Sequence, residues 1–431
     1  MANKNRLSQK YDEVSYDSRL NFGVKGWWIV IFGALNWFAM GLLVNASLNI
    51  VVPMKAGVIG VDQGILLTWS APARIVSLVF TLIVAKIMTK RGVKAVNGVM
   101  LILAAASTVL WGASSTVAMY AIAVILIQCF MNVNEVAGCN TVISNWFPKK
   151  KGIAIGWASM GVVLASVAGV PLLAGVSGNF GGIDKGLYVV AGIVIVIAIL
   201  NFTTIKNYPE EWGCYPDNNP NEKKREEFAL ETGWTWLKIL KEKEIWLFSI
   251  GCGFHAVSTI AYISTLIPTL IMKGFGEGAA LGMFTLACAI SMPGSVFFGF
   301  LDQKFGTQKS SIILTIWIFV GILFFFVPGS AGAWLYLIIL GTSTGATNNY
   351  PLSITAQIFG RDGSQVAFPI QHVIKGAIIA LGYGIMGQSL LLSGSYSAGW
   401  IIIAVMSVIA FFLLYFTDFR PKMDPIEQEP S

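Results

Sequence analysis

Charge is scarce in this chain. Asp, Glu, Lys and Arg make up 12% of its 431 residues, about half the share found in a soluble domain. That poverty excludes a disordered chain and argues against a cytosolic enzyme. Histidine occurs twice, and the five cysteines (129, 139, 214, 252 and 288) form no Cys-x-x-Cys pair. Neither a metal set nor a disulfide framework is expected, and no cofactor is implied. There is no P-loop, dinucleotide fingerprint or metalloprotease motif, which argues against an ATP-driven pump and a membrane protease. The polar first 26 residues hold no short apolar region leading to a cleavage site, so no signal peptide is expected.

What the chain has is hydrophobicity: 55% apolar residues and a mean hydropathy of +0.70. The apolar residues come in runs of 20 or more, the length an α-helix needs to cross a bilayer. A membrane β-barrel would instead show repeated alternating segments of about ten residues. Turn and charge signals divide the runs into twelve predicted spans: 27–53, 64–86, 95–115, 118–146, 153–175 and 186–206, then 245–270, 278–300, 310–328, 333–356, 367–391 and 398–417. The expected fold is therefore all-α, an integral membrane protein of two six-helix bundles, 27–206 and 245–417. Polar tails flank them at 1–26 and 418–431, and a polar connector joins them at 207–244. Near the end of that connector, WTWLKILKEKEIW reads as a short interfacial helix.

The basic residues are unevenly placed. In this twelve-span reading, twenty-four of the 29 lie in the tails, the connector and alternate loops, all on one side, while Lys55, Lys185 and Lys273 alone lie on the other. A nucleic-acid surface would not produce such alternation. The positive-inside rule predicts cytoplasmic termini in a bacterial-type inner membrane. The two remaining cations, Arg74 and Lys375, fall inside spans.

The halves also resemble each other. Ala85 to Gly92 and Gly299 to Gly306 share the pattern small-x-aliphatic-x-x-Lys-x-Gly, and Pro53 and Pro268 recur at nearly the same offset. Duplicated halves that rock about a site between them are a common carrier plan. These loops resemble the motif of the major facilitator superfamily. The family's Asp falls here on Thr89 and Gln303 and its Arg on Lys90 and Lys304, so the charged part of the motif is degraded in both copies. A closer resemblance is to the oxalate/formate antiporters, akin to the monocarboxylate transporters. It is carried by Asn145-Trp146-Phe147-Pro148-Lys149-Lys150-Lys151-Gly152-Ile153-Ala154-Ile155-Gly156, by Ile358-Phe359-Gly360 and by the spacing from there to Lys375. The resemblance implies that Lys375 binds substrate. It also exposes a departure: an arginine of that family on helix 8 corresponds to Ser295 here, which leaves oxalate itself unsupported.

An ionised group within hydrocarbon usually faces a cavity or a partner. Lys375 would neutralise a carboxylate, with Gln371 one turn earlier on the same face and His372 three residues away. Arg74 would grip a carboxylate through two parallel hydrogen bonds or pair with Glu135. Gln128, Asn132 and Glu135 form an i, i+4, i+7 stripe. Asn132 would orient substrate or join helices. For Glu135 three readings stay open: a proton-coupling carboxylate, a contact for a cationic part of the substrate, or a fixed counter-ion. His255, Thr259 and Tyr262 repeat the same stripe, with His255 a possible proton shuttle and Tyr262 a substrate contact. Thr344 and Asn348 share a face and would line the cavity of the second half. Gly161, Ala165 and Gly169 have the small-xxx-small spacing that allows helices to approach closely.

Together these features predict secondary transport of a small organic anion, a carboxylate, by alternating access, as antiport or proton-coupled symport. Substrate-binding residues would be Arg74, Lys375, Asn132, Tyr262, Gln371 and Asn348, with Glu135, His255 and His372 in coupling or gating. The expected partners are the carboxylate, protons where symport operates, and the lipid bilayer. No nucleic acid is expected, and a monomer is expected to suffice. A zwitterion or larger organic acid, with Glu135 facing any cationic end, and a transporter-like sensor are the alternatives. An enzyme is not expected, since His255, His372 and Glu135 match no known catalytic spacing.

Overall fold

The computed structural model describes residues 20–148, 150–220, 233–347 and 349–422. Among them there are helices and turns but no strand. Among the described residues, eleven helices are long and apolar enough to cross a membrane. In chain order they are α1 (Gly23–Ala46), α2 (Gln63–Met88), α3 (Val93–Ala113), α4 (Val117–Trp146), α5 (Ile153–Asn179), α6 (Ile183–Thr204), α7 (Lys243–Met272), α8 (Glu277–Phe305), α9 (Thr307–Phe325), α11 (Val366–Ser393) and α12 (Ser397–Phe416). The shorter α10, Gly329–Ala346, lies between α9 and α11 and completes twelve. Large apolar side chains such as Leu82, Val296 and Ile401 are exposed on these helices, as expected of surfaces that lipid covers. The protein is an all-α, multi-pass membrane protein.

The order of packing reveals the duplication. In the first six helices α1 packs on α5, α2 on α4 and α3 on α6; in the last six α7 packs on α11, α8 on α10 and α9 on α12. The two sets meet through α2 with α11, through α5 with α8, and through the Leu48–Ile59 helix that continues α1 and packs on α7. The repeat read from two loops and two prolines is thus a repeat of helix partners.

The structure also explains why cations are tolerated opposite the basic loops. The ammonium of Lys55 is buried and donates to the carbonyls of Gly112 and Ser114, at the C-terminal end of α3. Lys273 donates to the carbonyl of Phe325, the last residue of α9, at 2.6 Å. The final carbonyls of a helix lack intrahelical partners and carry the negative end of its dipole. The two lysines thus do the same job at equivalent helix ends. Lys185 sits beside Asp184 at 3.4 Å on the surface.

Two expectations shift. The tenth span, expected over 333–356, ends at Ala346, and helix resumes at Tyr350. Pro351 stands in the first turn of the resumed helix, where its missing N–H costs nothing. That helix breaks again at Gly360, whose φ of 72° suits a residue without a side chain, and α11 follows. The first span is likewise not one uniform helix: it widens to π-helix over Leu42–Ala46 before continuing as Leu48–Ile59. Similar π-helical segments interrupt α4 at Glu135–Thr141 and α5 at Ala165–Gly169. A short helix is present there, Trp236–Lys241, with Thr235 capping its start through a bond from the Lys238 N–H, and Trp236 and Leu237 are exposed.

Gly161 shows why small residues recur in α5. A Cβ there would lie 1.9 Å from the carbonyl oxygen of Ala34 in α1, an impossible contact. Gly161→Leu is expected to force α1 and α5 apart and to destabilise the bundle by at least about 1–3 kcal/mol. Thermal melting of the purified protein would read this as a clear fall in Tm.

Candidate functional site

The charged side chains within the spans meet where α2, α4 and α11 come together. Arg74 is buried on α2. Its Nη1 donates to Asn132 Oδ1 at 3.0 Å. Asn132 is held in turn: its Nδ2 donates to Thr81 Oγ1 at 3.1 Å and to the Ser77 carbonyl at 3.4 Å. Asn132, the middle residue of the polar stripe of α4, therefore fixes one end of the guanidinium. Arg74 reaches across to α11, where a Cβ built on Gly376 would lie 3.8 Å from its Nη2. Its Nε is buried with no hydrogen-bond partner.

Lys375, adjoining Gly376 on α11, is also buried. No hydrogen bond or ion pair holds its ammonium among the described residues. It lies within electrostatic reach of Glu135, Cys252 and Arg74. Gln371, one turn earlier, is fully buried, and neither its amide oxygen nor its nitrogen has a partner. Unsatisfied polar atoms in such a place are costly.

Glu135 opens the π-helical segment of α4. Its Oε1 lies 3.6 Å from His372 Nε2 on α11. Arg74 does not pair with Glu135, the protein partner foreseen for it: it bonds Asn132, which was not foreseen, and the carboxylate faces a histidine from the other half. The site thus sets two cations, Arg74 and Lys375, against one carboxylate.

The remaining candidates lie elsewhere. Tyr262 is buried in the second half and donates its hydroxyl to the Leu337 carbonyl at 2.8 Å. His255 Nε2 is 2.7 Å from Thr315 Oγ1 on α9. Thr259 bonds Thr347 at 3.2 Å, and Thr344 bonds its own helix at Gly341. All but the last of these contacts bind helices of one half to each other. Asn348 lies outside the described residues. Ser295, where the antiporters carry an arginine, accepts a hydrogen bond from Asn349 at 2.7 Å.

The comparisons with known proteins agree with this architecture. Residues 29–368 match the profile of the Major Facilitator Superfamily. The chain belongs to that superfamily. Its members are carriers rather than enzymes, and the superfamily fold carries out secondary active transport by alternating access. No curated protein matches the chain in sequence. Among solved structures it is similar to a bacterial homologue of the human lysosomal transporter Spinster in an inward-facing, occupied conformation. That pair has a TM-score of 0.71 and 16% identity over 90% of this chain and 96% of the other. It is also similar to the nucleoside transporter NupG, at a TM-score of 0.67 and 14% identity over 92% and 98% of the two chains. At such identities the likeness shows the fold and leaves the cargo open.

Sequence reasoning missed Tyr383 on α11, two turns beyond Lys375. Its hydroxyl reaches Asn45 Oδ1 in the π-helical segment of α1 and the Val44 carbonyl at 3.4 Å, and it lies close to Arg74 and Gln128. The helical period from Gln371 through Lys375 leads to it. A second miss is a buried amide cluster in the first half: Asn97 donates to Asn36 Oδ1 at 3.1 Å and to Asn201 Oδ1 at 3.2 Å, tying α3 to α1 and α6. Lone asparagines in three distant spans carry no such signal.

Proposed function

We propose that this facilitator carries a small organic anion bearing one net negative charge, a carboxylate, held between Arg74 and Lys375. The observation that carries this reading is the pair of buried cations that approach from opposite halves without a carboxylate locked onto either. An unpaired buried charge is expensive. Two cations against Glu135 leave one positive charge uncompensated while His372 is neutral. A monoanion would restore neutrality and draw the halves together. Arg74 would supply the planar fork and Lys375 a compact charge. Gln371, with both amide atoms unpartnered, would bond a second polar group of the cargo.

This gives the loaded carrier a reason to close and the empty one a reason to stay open. If both cations need an anion before they cross, exchange is favoured. If His372 and Glu135 take up a proton together, symport follows. The halves 27–206 and 245–417 would rock about the site, linked by 207–244, in a monomer. The placement of the basic residues supports cytoplasmic termini in a bacterial-type inner membrane.

A thermal-shift screen of small carboxylates against the wild type and Lys375→Ala tests the proposal. Stabilisation of the wild type by monocarboxylates, absent in the variant, is expected. Stabilisation only by neutral nucleosides or by cations would overturn it. Proteoliposomes would then separate the modes: labelled entry that requires anion inside marks exchange, while entry that follows a proton gradient alone marks symport.

A further inference from the structure

Beyond the site, one contact between the halves stands apart in its chemistry. Asn49, on the helix that continues α1, is buried. Its Nδ2 donates to the carbonyl of Ile263 and its Oδ1 accepts from the N–H of Ile267 at 3.0 Å, both on α7. Residues 263 and 267 are the acceptor and donor of a single α-helical hydrogen bond. One side-chain amide from the first half thus engages both ends of one backbone hydrogen-bond pair in the second. It does so immediately before Pro268, which stands inside α7. Proline has no N–H and its ring crowds the carbonyl one turn back, so the helix is weakened there. The carbonyl that loses its donor to Pro268 is that of Ser264, so the Asn49 amide bonds backbone groups that adjoin this weakened turn.

We propose that Asn49 is the latch that closes the end of the bundle opposite the basic loops. In the closed arrangement its amide satisfies Ile263 and Ile267. When the halves part at this end, those two groups can bond each other within α7, so opening leaves no backbone group orphaned. The latch needs no titration and no substrate. It therefore stands or falls independently of the anion reading.

The surroundings fit this role. One turn earlier, Asn45 accepts from the Tyr383 hydroxyl of α11, so two amides on one face of the first helix grip two helices of the other half. Close by, a Cβ on Gly64 of α2 would lie 2.4 Å from the Gly387 carbonyl of α11, so the backbones there are nearly in contact. The latch is one-sided. At the offset that relates Pro53 to Pro268, the counterpart of Asn49 is Ser264, whose hydroxyl, among the described residues, bonds within α7 to the carbonyls of Ile260 and Ala261. The duplicated helices have therefore diverged here, with the reaching group kept on the first half alone.

Spin labels on cysteines introduced at Val58 and Met272, both exposed near the ends of the paired helices, would read the separation at this end in the substrate-free full-length protein. Asn49→Val removes both bonds at similar volume. The expected result is a rise of about 3- to 10-fold in the ratio of long-distance to short-distance populations, with helicity unchanged. A distance distribution identical to that of the wild type would overturn the proposal. If Asn49→Val fails to fold, Asn49→Thr serves. It keeps a hydroxyl able to bond locally, as Asn49 does with Ala46, but cannot span Ile263 and Ile267, and the same shift is expected.

Discussion

Lys375→Ala is expected to abolish measurable carboxylate uptake while leaving the protein as stable as the wild type or more so. The two effects have one cause. The ammonium is buried with no hydrogen-bond or ion-pair partner among the described residues, so in the empty carrier only the distant field of Glu135 offsets the cost of its desolvation. The bound anion alone would redeem it. A charge-assisted bond of this kind contributes about 1.5–3 kcal/mol, which is a loss of roughly 10- to 150-fold in affinity when it is removed. Uptake into proteoliposomes, binding, and Tm of the same preparation would check this. A fall in transport accompanied by a large fall in Tm would instead assign the lysine a structural task. Lys375→Arg should restore part of the binding, since the charge remains while its shape changes.

Arg74 should behave differently, because it is already engaged. Arg74→Lys keeps the charge but gives up the fork that bonds Asn132 on one side and faces α11 on the other. A loss of about 10-fold or more in affinity is expected. Arg74→Gln should lose transport altogether and leave Asn132 short of a donor. If Asn132 positions the guanidinium, Asn132→Ala should weaken binding through a raised KM while Lys375 and its response remain intact. Titrating uptake against substrate concentration for the three variants would separate these outcomes. Equal uptake by Arg74→Gln and wild type would remove Arg74 from the site.

Much of the architecture was legible because the bilayer imposes a strict rule. A segment that crosses it must satisfy its backbone internally and present apolar side chains, so apolar runs of sufficient length report helices directly. The same rule made Arg74, Glu135 and Lys375 conspicuous: few ionisable groups lie within the spans, and each invites an explanation. Gly161 was legible for a related reason, since small residues at a spacing of four mark a close helix contact. The end of the tenth span was not, because the short polar stretch Thr347 to Asn349 can line a helix face as readily as it can end a helix, and apolar residues resume just beyond it.

What the amino-acid sequence determined by itself was the number and order of the membrane helices, the duplication, and the identity of the charged residues buried among them. These depend on hydropathy and period, which are local properties. Pairing depended on tertiary structure alone. Arg74 bonds Asn132 while Glu135 faces His372; Tyr262 and His255 serve contacts within their own half; and Asn49 lodges in α7 more than two hundred residues away. A hydrogen bond is decided by distances of a few tenths of an ångström between groups on different helices, and helix rotation and tilt, set by packing across the whole bundle, fix those distances.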